Sequence, residues 1–354
     1  MLNSQPATQN SLSTSAIYQH VSVLFHESVA ILSPREGSIL VDCTLGGGGH
    51  TSLMLSMTGL SGRVIAFDRD LTAIENARIR FAAEITARRL TLVHCAFGQI
   101  EDEITRLGLR GKIDGILADI GVSSHHLDVA ERGFSFMNDG PLDMRMDQSQ
   151  GESASAFLAS ADEKVIADVI FKFGEEPKSR FIAKLICERR DATPFTTTKS
   201  LADLIASKVF WKEASRKHPA TRTFQALRIY VNDELGELES LLTNGPKVLG
   251  VGGILAVISF HSLEDRLSKQ AMQAWTGKTK RQELPREIPF TQEEVARLSD
   301  SNAEIIKPFP RVPSDEEIRA NPRSRSAKLR AIRLTKDCSG ISSNISSNSS
   351  SNNR

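Results

Sequence analysis

No excess charge of either sign marks this chain: the formal net charge is +1 over 354 residues. Any contact with a polyanion therefore needs a local basic face rather than overall charge. Cysteine is sparse. Cys43, Cys95, Cys187 and Cys338 lie far apart and make no CxxC pair, which fits reduced thiols in a cytosolic protein and no metal site. The longest apolar run, residues 250–260, is too short to span a bilayer. The N-terminus has no basic start with an apolar core and no arginine for a transit peptide, so cytoplasmic localisation and no membrane partner are expected. No internal repeat occurs.

What is present is a folded composition, 40% hydrophobic and 25% charged. The length allows one large α/β domain and a smaller unit. Residues 1–16 and the Ser/Asn-rich 337–354 read as disordered tails.

One stretch organises the rest. Ile39-Leu40-Val41 reads as a buried strand, Asp42 ends it, and Gly46 to Gly49 turn the chain into a helix beginning near His50. Strand, glycine turn and helix form half of a nucleotide-binding crossover, with glycine where a ligand comes against the backbone. A plain flexible connector is the competing reading, and four consecutive glycines are costly for that. Further strands are expected at 63–67, 90–94 and 113–118, alternating with helices. That pattern predicts a parallel sheet with right-handed crossovers. Residues 123–150 read as loop. Four helical pieces follow between 153 and 209, then one long helix over 223–242. A fifth strand is expected at 254–260 and a last one at 327–334.

The missing residues narrow the ligand. G-x-G-x-x-G fails in both registers, because Thr51 or Ser52 stands where the third glycine belongs. That disfavours a dinucleotide. No lysine follows the glycines to hold a terminal phosphate, which disfavours a nucleoside triphosphate. Strand-Asp-x-x-x-Gly-x-Gly suits S-adenosylmethionine, which has no phosphate. Asp68 ends strand two about 20 residues on, where an acid accepts ribose hydroxyls; its alternative is a helix cap, a role open to Asp70 as well. Phe97 ends strand three and offers a stacking face, or is a core aromatic. Asp119 ends strand four, where a carboxylate can hold an exocyclic amine for methylation. The Pro-Pro-Tyr element of many base amino methyltransferases is absent after it, which counts against a DNA substrate. The pair His125-His126 lacks further ligands at zinc spacing.

Two more regions carry chemistry. Arg216, Lys217, Arg222 and Arg228 give a local basic excess, either a phosphate-contact face for RNA or a solvated helix surface. The loop Phe134 to Met146, with exposed Met and Phe beside Arg, either holds an unstacked base or packs over the sheet. His261 leaves strand five and either reaches the substrate or caps the next helix.

These strings together resemble the ribosomal RNA small subunit methyltransferase H family. The resemblance rests on Gly48-Gly49-His50, Gly121-Val122-Ser123-Ser124, the strings at 131–137, 140–147, 218–227 and 258–266, and Asn321-Pro322-Arg323-Ser324-Arg325-Ser326. It implies a Rossmann-like S-adenosylmethionine-dependent methyltransferase sheet, at 17–136 and 223–336, with an inserted helical domain at 137–222. It implies cofactor contacts at Gly48, Gly49, His50, Asp68, Phe97 and Asp119. The family's glutamine falls on His126, whose imidazole keeps one of the amide's hydrogen bonds. Tentative catalytic residues are Asp119 and His261. The implied reaction is N4-methylation of a cytidine in 16S rRNA, in the decoding centre near the P site, with the rRNA expected within the small ribosomal subunit. A non-catalytic RNA-binding platform and a DNA methyltransferase are the competing classes.

Overall fold

The apolar runs become strands buried on both faces, and their alternation sorts the core into two layers. Val41, Ile65, Phe67, Ile116 and Val257 pack on one side of the sheet. Leu40, Val64, Ala66, Leu117 and Ile258 pack on the other. This period-two split is what a parallel sheet covered by helices requires. The computed structural model describes residues 22–209, 218–278 and 301–340. Its strands are β1 (Ile39–Asp42), β2 (Arg63–Asp68), β3 (Leu90–His94), β4 (Ile113–Asp119), β5 (Leu249–Ser259), β6 (Ala303–Ile305) and β7 (Lys328–Leu334). They form one seven-stranded sheet in the order β3-β2-β1-β4-β5-β7-β6. The first five are parallel. β7 runs antiparallel to β5, and β6 antiparallel to β7.

Helix α1 (Phe25–Ala30) precedes the sheet, and α2 (Gly49–Met57) follows the glycine turn. The expected second helix is broken in two, α3 (Leu71–Arg80) and α4 (Ala82–Thr86), at Phe81. α5 (Ile100–Arg106) leads into β4, and the short α6 (Ser124–Asp128) follows it. The helical pieces are α7 (Ala154–Ser160), α8 (Glu163–Gly174), α9 (Ser179–Arg190) and α10 (Thr198–Lys208). The long helix expected over 223–242 is two, α11 (Thr221–Val231) and α12 (Glu234–Val248), and α13 (Ser262–Trp275) follows β5. The break has a cause. Asn232 turns its amide to another segment, donating to the Met144 carbonyl (2.7 Å) and accepting from the Met146 amide (2.8 Å). Asp233 then takes φ +46°, which stops a helix.

The helical pieces share their own core. Phe157, Leu158, Ile166, Ile170, Ile182 and Ile205 pack with Phe134 and Met144 on one side and Phe224 and Leu227 on the other. The unit therefore reaches past the expected 137–222 limits, because α11 supplies one wall of it. The 134–146 loop is largely structural as well: Phe134, Leu142, Met144 and Met146 are buried, while Met137 is exposed. At the far end Cys338 is buried, and Arg110 donates to the Ser339 carbonyl (2.7 Å), so the packed body runs beyond 337. The expected tail at 1–16 lies outside the described residues. No helix among the described residues is long and apolar enough to cross a membrane.

Candidate active site

Asp42, at the tip of β1, is fully buried and braces the turn from within. It accepts from the Thr51 hydroxyl in α2 (2.6 Å) and from the Thr44 amide (3.1 Å). Burial pushes its carboxyl above the usual range. The glycines beside it divide into two kinds. Gly48 has φ +75°, and a Cβ there would stand 2.6 Å from the Phe81 ring. It faces the core. Gly47 is the opposite: a Cβ on it meets nothing within 4 Å. Nothing in the protein requires glycine at Gly47; a ligand would. Gly46, Gly47, Gly49 and His50 line a cavity of about 520 Å³ at the carboxyl ends of the strands. Gly48, an expected cofactor contact, is not among its lining residues.

The tips of β2, β3 and β4 complete the wall. Asp68 accepts from the amides of Gly46 and Asp70, both at 2.8 Å. Asp70 caps α3 through the Thr72 amide (2.9 Å), which leaves Asp68 to face the cavity. Burial holds the Asp68 carboxyl above its ordinary range. Phe97 opens a 3-10 turn (Phe97–Gln99), lines the cavity and packs against the core behind it. Both readings of that ring hold at once.

Asp119 is strongly perturbed. Burial first, then the carboxylates of Asp42 and Glu264, push its pKa up to about 8. Its Oδ2 lies 3.8 Å from Nδ1 of His50, on the first turn of α2. Its Oδ1 is buried and accepts no hydrogen bond from any described residue. A buried acceptor without a donor is uncommon and costly, and it marks a place where a ligand donor belongs.

His126 lines the same cavity, with one nitrogen already committed. Nε2 binds Oδ2 of Asp70 (2.8 Å), and the Arg132 guanidinium binds the same oxygen (2.7 Å). Arg132 is buried and also donates to the Met146 carbonyl (2.8 Å). His126 Nδ1 is buried and has no hydrogen-bond partner among the described residues. It is the nitrogen left for a ligand.

Three expectations change. His261 is not on the cavity wall. It caps α13 in a capping box, with Nδ1 accepting from the Glu264 amide (3.5 Å) and Glu264 Oε2 accepting from the His261 amide (3.2 Å). The cap occupies Nδ1, while Nε2 lies 3.0 Å from Oε1 of Glu264. Arg228 lines the cavity and pairs through Nε and Nη2 with both oxygens of Glu234, each at 2.7 Å. Arg222 donates to the Glu175 carbonyl (3.0 Å) and sits 3.8 Å from Glu176. Arg216 and Lys217 lie outside the described residues.

Other lining residues were not singled out as site residues by the sequence. Glu237 on α12 accepts from the Gly98 amide (2.8 Å) and pairs with Arg69 (3.3 Å). Asn321 and Arg323 reach the cavity from the C-terminal segment.

A parallel sheet with acids at its strand tips, a glycine turn and an unpartnered carboxylate oxygen in the cavity belongs to a Rossmann-like methyltransferase. S-adenosylmethionine is its methyl donor. More narrowly, the model of the MraW methylase family matches residues 17–335, and the chain belongs to that family. It is 48% identical to the ribosomal RNA small subunit methyltransferase H of Shewanella woodyi over 315 residues, 88% of this chain and 96% of that one. The protein of the same name from Shewanella amazonensis is also 48% identical, over 313 residues, with the same coverage. Among solved structures, a putative rRNA-methylase from Clostridium thermocellum aligns with 13% identity and a TM-score of 0.40, covering 89% of this chain and 99% of that one.

Proposed function

We infer that this methyltransferase acts on 16S rRNA in the small ribosomal subunit, in the cytoplasm, and methylates N4 of a cytidine in the decoding centre near the P site. The relatives' names support an rRNA substrate. The single observation that favours an amine target is the buried, unpartnered Oδ1 of Asp119 at the strand tip.

When bound, S-adenosylmethionine supplies an electrophilic methyl on a sulfonium. Gly46, Gly47 and Gly49 would meet its aminoacyl end, beside the amides of the first turn of α2. Asp68 would accept its ribose hydroxyls and Phe97 would stack on its base. Asp119, its pKa pushed up to about 8 by burial, would favour its charged form beside a cation. The ionised carboxylate then accepts an N–H of the exocyclic amine, which turns the nitrogen lone pair out of conjugation. A methylated amine nitrogen is more acidic and must give up a proton. Asp119 can take up the released proton, or pass it to solvent.

The test is incubation with labelled cofactor and small subunits from a strain lacking this enzyme, followed by nucleoside analysis. Label in N4-methylcytidine is expected. Label in another nucleoside, or in DNA alone, would overturn the assignment.

A further inference from the structure

On α11, Arg228 pairs with Glu234, and Arg222 donates to the Glu175 carbonyl at the end of α8. A second arginine pair lies on the C-terminal segment, where Arg323 lines the cavity and Arg325 follows two residues on. The segment 321–326 forms a 3-10 turn (Pro322–Ser326) held from three sides. Ser324 is fully buried, and its hydroxyl donates to the Asn321 carbonyl (2.8 Å). The Asn321 side chain accepts from the Arg323 amide (3.2 Å), and the Ala327 amide returns to the Ser324 carbonyl (2.8 Å). β7 begins at Lys328, so the turn is anchored to the sheet. With Ser324 pinned inward, Arg323 and Arg325 are both exposed on either side of it.

Arg323 lines the cavity and pairs with Asp128 (2.8 Å), the last residue of α6 and two residues after His126. Both side chains are about half exposed, at 46% and 44%, so this pair exchanges readily for a stronger anion. Arg325 has no ion-pair partner among the described residues. Nearby acids are mostly spoken for: Glu316 pairs with Arg319 (2.9 Å) and Glu317 accepts from the Leu24 amide (2.7 Å), leaving exposed Asp315.

We propose that segment 321–326 is a phosphodiester clamp for the RNA strand entering the cavity, with Arg323 and Arg325 as its cationic contacts. A nucleotide presented to a strand-tip cavity brings its two flanking phosphates to the mouth. Two guanidiniums two residues apart on a rigid turn match consecutive phosphates, and their forked donors suit phosphate oxygens. Binding transfers Arg323 from Asp128 to a phosphate and frees the α6 segment beside the cavity. The proposal rests on the RNA reading above.

The experiment compares full-length wild-type, Arg323→Ala, Arg325→Ala, the double variant and Arg325→Lys. It reads KM for small subunits at several salt concentrations and cofactor Kd by calorimetry. Each alanine variant is expected to raise KM roughly tenfold, one charge-assisted contact, and to flatten the salt dependence by about one unit of log–log slope. Cofactor Kd stays unchanged, and Arg325→Lys recovers most of the loss because its charge remains. Unchanged KM and salt slope in the double variant, with wild-type active, would overturn the clamp alone. A weakened cofactor Kd would overturn it by assigning the arginines to the cofactor. Absence of any transfer by the wild-type would remove the RNA reading and the clamp together.

Discussion

The strand tips and the helical unit treat their acids in opposite ways. At the tips, Asp42, Asp68 and Asp119 are all held above the ordinary carboxylate range, each chiefly by burial. Toward the helical unit, side-chain hydrogen bonds to Arg145 outweigh burial and hold Asp143 below that range. Glu175 is likewise low, through Ser262 and Arg266. Asp70, on the seam, is depressed despite burial because His126 and Arg132 share one of its oxygens. One region stores unfavourable electrostatics and the other relieves it. Stored strain of that kind is tolerated where a ligand will discharge it, so the contrast separates site from scaffold.

The largest test removes a scaffold partner. Arg132→Met leaves buried Asp70 without its guanidinium and should destabilise the protein by about 3–5 kcal/mol in denaturant unfolding at pH 7. Because the folded-state pKa of Asp70 is lowered, the wild-type contribution is present above the ordinary carboxylate pKa. It is lost only as pH falls through the depressed value, in strong acid. A loss under 1 kcal/mol would mean that the seam is not a scaffold element.

Next comes the site acid, with the opposite sign. Asp119→Asn should lower turnover by about 10²–10³-fold with cofactor saturating. The same variant should gain stability, by roughly 1–2 kcal/mol at pH 8. The folded pKa of Asp119 lies near 8, above its unfolded value, so folded protein binds the extra proton. Wild-type stability therefore declines as pH rises from about 4 to 8, and the variant should lose part of that slope. An unchanged slope across that window would remove Asp119 as its source.

The smallest test sharpens the boundary within the glycine turn. Gly47→Ala should leave thermal stability within about 0.5 kcal/mol and weaken cofactor binding roughly tenfold. Gly48→Ala should do the reverse, losing stability because φ is positive and the Phe81 ring blocks the Cβ. Equal behaviour of the two variants would erase the distinction between them.

The sheet was legible because its signals are local. Buried runs, a glycine turn and an acid at each strand end can be read within a dozen residues. The break at Asn232 was not, since the apolar stripe continues through it and its cause lies 86 and 88 residues earlier, at Met146 and Met144. The Asp70–His126–Arg132 cluster was hidden for the same reason, its partners being 56 and 62 residues from Asp70. Arg228 looked like a phosphate contact because its partner Glu234 sits beyond that unread break. β6, only three residues long, gave too short a pattern to recognise. For the glycines, sequence located the turn, but which of them faces the cavity depends on where Phe81 packs.

The strand order carries a consequence for how the chain is made. β4 ends at Asp119, yet its neighbour β5 starts only at Leu249, and β7 follows at Lys328. During synthesis the edge of β4 stays open while the helical unit emerges. That unit's core spans Phe134 to Leu227 with no strand partner needed, so it can close as a local, low-contact-order body before the sheet is finished. The arginine turn and β7 emerge near the end. A ribosome making this protein thus completes the cavity mouth among the last steps, after both halves that the mouth joins.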